Sequence, residues 1–197
     1  MSVLTYPLSI KFKVWALTNQ FSITGADGSM VAYIKQKAFK LKDDVQVFSD
    51  EKMNHQIFSI KADRVIDFSA RFTIKNDSDQ EMGSIKRDGM KSLWRIHYNV
   101  TSENNTNYTI QEHNPWIRFL DSVLAELPLI GILSAYVLQP VYDVKTADGT
   151  VVMNMKKMPS LLGRYFTINR PVDIDDREEE LIMLSLMMVV LLERAKG

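Results

Sequence analysis

From Leu181 to Leu192 the chain runs through twelve residues of which Ser185 alone is polar. Five carboxylates precede the run between Asp175 and Glu180, and Arg194 and Lys196 follow it. That is the order an α-helix favours, with anions at the positive end of its dipole and cations at the negative end. A helix that is apolar on every face must be surrounded on every face. Twelve helical residues span roughly 18 Å against about 30 Å of bilayer hydrocarbon, so the segment is too short to cross a membrane. Burying it gains roughly 20 kcal/mol before conformational entropy, at about 2 kcal/mol per large side chain. Two enclosures meet that demand: a sheet of the preceding strands curled into a closed barrel, or a helix pair in a dimer. The barrel also removes the exposed strand edges that a large sheet would leave.

Period-two alternation, the mark of half-buried strands, dominates the first 113 residues. Ile10-Lys11-Phe12-Lys13-Val14 and Gln56-Ile57-Phe58-Ser59-Ile60-Lys61 are examples. Turn signals separate the runs at Gly25-Ala26-Asp27-Gly28, Asn76-Asp77-Ser78-Asp79 and Asp88-Gly89. The pattern predicts a mainly β chain, a meander of antiparallel strands forming a single domain over residues 1–197. A unit of strand, polar turn, strand and basic residues recurs at 23–37, at 144–157 and more weakly at 74–87. Shared turn chemistry in independent hairpins accounts for it as well as an internal repeat does, and the unequal spacing excludes a regular solenoid.

A second helix is predicted over 115–127, opened by Asn114-Pro115 and ended by Pro128. Trp116, Phe119, Leu120, Val123, Leu124 and Leu127 share one stripe, and Leu129 to Leu133 continue the apolar character. The segment 116–138 could pack over the barrel, meet a partner or second copy, or engage a membrane through Trp116, Phe119 and Leu133. Its polar face sets Arg118 against Asp121 and Glu126, a poor match to a membrane-surface helix.

Lys plus Arg and Asp plus Glu each number 24, so the net charge is zero. A nucleic-acid binder needs an excess of cations, and so does a chain drawn non-specifically to an anionic bilayer. Cysteine is absent, which excludes disulfides, thiolate metal sites and S-acylation. The N-terminus has no basic stretch ahead of a small-residue cleavage site. The expectation is a cytoplasmic protein with no transmembrane span, peripheral to a membrane at most.

Phe166-Thr167-Ile168, then Pro171-Val172-Asp173-Ile174-Asp175, leads into the apolar helix and its terminal Glu193-Arg194. This ending, with the glycine-bearing hairpins and their following basic residues, resembles the tubby C-terminal-like superfamily, of phospholipid scramblase and LURP-one-related type. The resemblance implies a roughly twelve-stranded barrel with the last helix threaded through its centre. It departs from scramblases where an acidic calcium-binding segment is expected. Met158-Pro159-Ser160-Leu161-Leu162-Gly163 holds no carboxylate there, and calcium needs several oxygen ligands.

No nucleophile motif, phosphate-binding glycine loop or His-Glu helix signature appears, and His55, His97 and His113 show no ligand spacing. The reading is therefore no enzyme, no cofactor, no metal and no catalytic residue. Lys86, Arg87, Lys91, Arg95, Lys156 and Lys157 are the candidates for anion or lipid binding, and Lys35, Lys37, Lys40 and Lys42 form another basic group. A solvated strand face that resists aggregation explains the same lysines. The expected role is a non-enzymatic binding or scaffold module that recognises a phospholipid head group or a partner protein by its outer surface. The alternative is a membrane-acting, scramblase-like protein working through 116–138.

Overall fold

The computed structural model describes residues 4–13, 18–36, 44–64, 70–89, 96–113, 140–159 and 165–194. Twelve strands follow one another: β1 (Leu8–Phe12), β2 (Gln20–Thr24), β3 (Met30–Gln36), β4 (Asp44–Phe48), β5 (Gln56–Ala62) and β6 (Arg71–Asn76) make the first half. β7 (Glu81–Arg87), β8 (His97–Ser102), β9 (Asn107–Glu112), β10 (Val141–Lys145), β11 (Val151–Met158) and β12 (Tyr165–Asn169) make the second. Each strand pairs antiparallel with the next, and β12 pairs with β1 through Leu8 with Ile168 and Ile10 with Phe166, so the barrel closes. One helix, α1 (Asp176–Arg194), fills it.

The alternation in sequence is the alternation of the wall. Leu8, Ile10 and Phe12 point inward on β1, as Phe72 and Ile74 do on β6 and Tyr98 and Val100 on β8. Every residue from Leu181 to Leu192 is buried, none above 8 % exposed. The barrel, not a helix pair, supplies the enclosure. Asp175 caps the helix, its Oδ1 accepting from Arg177 N at 2.9 Å and its carbonyl from Glu179 N. Asp44 opens β4.

The helix enters at the mouth formed by the five even-to-odd hairpin turns. Each turn uses one residue in the left-handed region: Gly28, Met53, Asp79, Asn105 and Gly149. In the two Ala-Asp-Gly turns the glycine N–H donates back across the turn, Gly28 to Gly25 O and Gly149 to Thr146 O, both at 3.0 Å. Asp27 accepts from Ser29 N and Ser29 Oγ, and Asp148 from Thr150 N and Thr150 Oγ1. These bonds, led by the Ser29 hydroxyl and the Thr146 hydroxyl respectively, hold both carboxyls below their ordinary range. The recurring unit of the sequence is this turn.

At its first turn α1 is held by Tyr6 Oη and Arg170 Nη1, each 2.8 Å from Glu179 Oε1. At its last turn Tyr98 Oη donates to Glu193 Oε1 at 3.0 Å. Burial, then the neighbouring glutamate, raises the phenols of Tyr6 and Tyr98, and burial with Glu178 pushes Tyr108 up to about 12. The helix predicted over 115–127, the segment 116–138 with Trp116, Phe119 and Leu133, and Lys91 and Arg95 lie outside the described residues.

Candidate anion-binding wall

Zero net charge conceals a strong separation of charge. The five turns of the entry mouth, residues 25–29, 49–55, 76–80, 102–106 and 146–150, hold seven carboxylates and one lysine. Residues 170–180 add six carboxylates and two arginines at the same mouth. Among the described residues these segments hold 13 of 20 carboxylates and three of 16 Lys and Arg, leaving 7 against 13 in the rest of the described chain. The inference from net charge to weak anion attraction thus does not hold, because attraction follows local charge within a Debye length of about 8 Å.

The cationic remainder contains a sector free of anions. β11, β12, β1, β2 and β3 are consecutive around the barrel, and none of the five contains an Asp or Glu. On its outer face Lys156 lies beside Thr167, Thr167 beside Ser9, and Ser9 beside Thr24. In the next outward row Tyr165 lies beside Lys11, and Lys11 beside Ser22. Ser9 Oγ and Tyr165 Oη are hydrogen-bonded at 3.0 Å, and Lys11 Nζ stands 5.8 Å from the Tyr165 ring centroid. Lys156 is exposed. Among the described residues neither Lys11 nor Lys156 forms an ion pair. Two ammonium groups thus flank a bed of hydroxyls, a set of donors suited to phosphate oxygens.

Lys13, at the edge of this wall, is engaged: its ammonium lies 4.8 Å from the Tyr33 ring and 3.1 Å from Glu51 Oε2. Hydrogen bonding to Tyr33 and then to Glu51 raises its pKa.

The other candidates are dispersed. Lys86 and Arg87 are adjacent on a strand and so face opposite ways. Lys86 faces out beside Arg71, whose Nε donates to Ser84 Oγ at 2.8 Å. Arg87 pairs with the buried Tyr98 and shares its inner face. Lys156 and Lys157 divide in the same manner, Lys157 pairing with the inward Phe166. Lys86, on β7, stands six strands from β1 and hence on the far side of the barrel from the Lys11–Lys156 wall. Lys35 is the penultimate residue of β3, and Lys37, Lys40 and Lys42 lie outside the described residues.

His55 is in the β4–β5 turn. His97 on β8 pairs with Gln111 on β9, and His113 follows the end of β9. His113 Nδ1 is 2.7 Å from Asp143 Oδ2 and His97 Nδ1 is 3.8 Å from Asp88 Oδ2. Among the described residues no three His, Cys, Asp or Glu side chains converge as a metal site. Among those residues, too, no helix is long and apolar enough to cross a membrane.

Lys11, Ser9 and Tyr165 were not among the expected site residues. The alternation of β1 marks Ser9 and Lys11 as outward, but only closure onto β12 brings them to Lys156. Compared with known proteins, residues 7–118 match the family model described as LURP-one-related. Comparisons with curated proteins and with solved structures return no match.

Proposed function

The chain belongs to the LURP-one-related family, within the tubby C-terminal-like superfamily, and we propose that this barrel is a non-enzymatic binding module whose outer wall receives a phosphate-bearing lipid head group. The observation that carries the reading is the anion-free wall, with Lys11 and Lys156 on either side of Ser9, Thr167 and Tyr165. An occupied lumen supports it as well, because α1 fills the interior and recognition is left to the outside. The acidic pole is turned away from an anionic surface when the wall faces it, so the charge separation orients the barrel.

Vesicle co-sedimentation tests the proposal, with phosphatidylcholine alone, with added phosphatidylserine and with added phosphoinositide. Near a charged surface each lysine contributes about 1 kcal/mol, so Lys11→Gln with Lys156→Gln weakens binding about thirty-fold. Lys86→Gln, on the opposite wall, leaves binding within about two-fold. Binding to phosphatidylcholine alone, or equal losses in both variants, refutes the assignment.

A further inference from the structure

The mouth where α1 enters the barrel holds a groove that the lysine wall does not use. It is a cavity of about 340 Å³ between the β2–β3, β4–β5 and β6–β7 hairpins and the first turn of the helix. Met30, Val31, Ile57 and Phe58 give it an apolar lining, and Asp77 and Glu180 stand at its margin. Met30 and Ile57 are only half-buried. A second, narrower cavity of about 70 Å³ shares Asn76 and Glu180 with it and reaches Met82 and Leu181. The larger volume lies at the lower end of the range for ligand sites and fits one large apolar side chain with its neighbours.

The surrounding charge identifies the occupant. Thirteen carboxylates share this mouth with Lys52, Arg170, Arg177 and Lys75, which is bonded to Asp79, and Lys13 reaches Glu51 from the wall. Arg170 is already bonded to Asp173 and Glu179, and Arg177 to Glu103. The helix dipole favours anions only within its first turn, so it does not account for the carboxylates of five separate turns. Crowded like charges repel, and a cationic partner relieves the repulsion.

We propose that this groove docks a basic segment of a partner protein, seating one apolar side chain among Met30, Val31, Ile57 and Phe58 while flanking Lys or Arg residues meet Asp77 and Glu180. A polyamine would match the charge but has no branched apolar group for the lining. The proposal is independent of the lysine wall. Together the two sites make the barrel an adaptor, with an anionic ligand on its side and a basic chain at its end.

Fluorescence anisotropy of the full chain with labelled Lys-Lys-Leu-Lys-Lys and Lys-Lys-Ser-Lys-Lys peptides tests it. The leucine peptide binds about tenfold tighter than the serine peptide, and Ile57→Ser abolishes that difference without changing any charge. Asp77→Asn with Glu180→Gln weakens the leucine peptide about tenfold and flattens its salt dependence, whereas Asp63→Asn near the opposite mouth changes nothing. Circular dichroism melts within a few degrees of the parent show that the variants remain folded.

Four results overturn the proposal: equal binding of the two peptides, a loss in Asp63→Asn equal to that of the double variant, no binding of either peptide, or displacement by spermine at equal charge concentration from the Ile57→Ser variant as readily as from the parent. A fifth is a dimer in sedimentation velocity that the Asp77→Asn, Glu180→Gln variant dissolves, since the occupant is then a second copy of this chain.

Discussion

At Gly83 the wall comes close to the helix. It lies on β7, paired with Ile74 on one side and Ser102 on the other, and it faces inward. A Cβ placed there would sit 2.5 Å from Thr101 O, 2.9 Å from Leu181 Cδ2 and 3.0 Å from Leu181 Cδ1. The Leu181 side chain can rotate aside. Thr101 O cannot, because it belongs to the β7–β8 ladder in which Ser84 pairs with Thr101. Overpacking costs typically 1–3 kcal/mol, and a backbone clash places Gly83→Ala near the top, at about 3 kcal/mol. For a chain of this size that lowers Tm by roughly 6–12 °C.

Guanidinium unfolding followed by far-UV circular dichroism measures the loss in Gly83→Ala, Leu181→Ala and the double variant. Leu181→Ala alone costs about 2–4 kcal/mol, since the side chain is buried. The double variant is less destabilised than the sum of the two by about 1 kcal/mol, because Leu181 supplies one of the two clashes. Gly83→Ala within 0.5 kcal/mol of the parent, or zero coupling, would refute the placement of the helix start against β7 and β8.

Ser185 is wholly buried and its Oγ has no hydrogen-bond partner, so Ser185→Ala raises stability by about 1 kcal/mol, seen as a higher guanidinium midpoint at unchanged slope. Met53 holds φ 58 in an exposed turn, a conformation that costs a side chain about 1 kcal/mol. Met53→Gly therefore raises Tm whereas Met53→Ala does not. Tyr6, Tyr98 and Tyr108 have phenols raised above the ordinary value of 10.0, so the folded state favours their neutral forms. Their contribution is fully present below pH about 10 and is lost as pH climbs through the folded values. In a titration read at 295 nm, these three tyrosines ionise only together with loss of the far-UV signal.

The enclosed helix was legible because an apolar stretch without a polar face states its own requirement, whatever surrounds it. The Asp-Gly turns at Asp27 and Asp148 were legible for a similar reason, since glycine at a left-handed position is a local signal. Met53 takes the same conformation with no such signal, and Asn105 gives a weak one. Period two identified the strands, and applied to β7 it already separates Lys86 from Arg87, whose adjacency in sequence had suggested one patch. Register was the barrier elsewhere. Nothing local pairs Ser9 with Thr167 or Lys11 with Tyr165, because those pairings exist only once the first strand meets the last. Net charge was silent for a simpler reason: a sum carries no positions.

The location of the lysine wall ties its assembly to closure of the barrel more closely than fold class alone requires. The wall straddles the β1–β12 seam, formed by the pairing of greatest sequence separation in the barrel. The acidic mouth is assembled largely from hairpin turns, each closed by hydrogen bonds within a few residues. Local turns form without the seam, but Lys11 and Lys156 come to one face of the wall only after closure, and closure is worthwhile only with α1 inside. Residues 7–118, the span that carries the family likeness, contain Lys11 but neither Lys156 nor β12. The lysine wall therefore depends on the last three strands and the helix. A barrel opened at that seam loses the wall entirely while keeping most of the charge at its mouth.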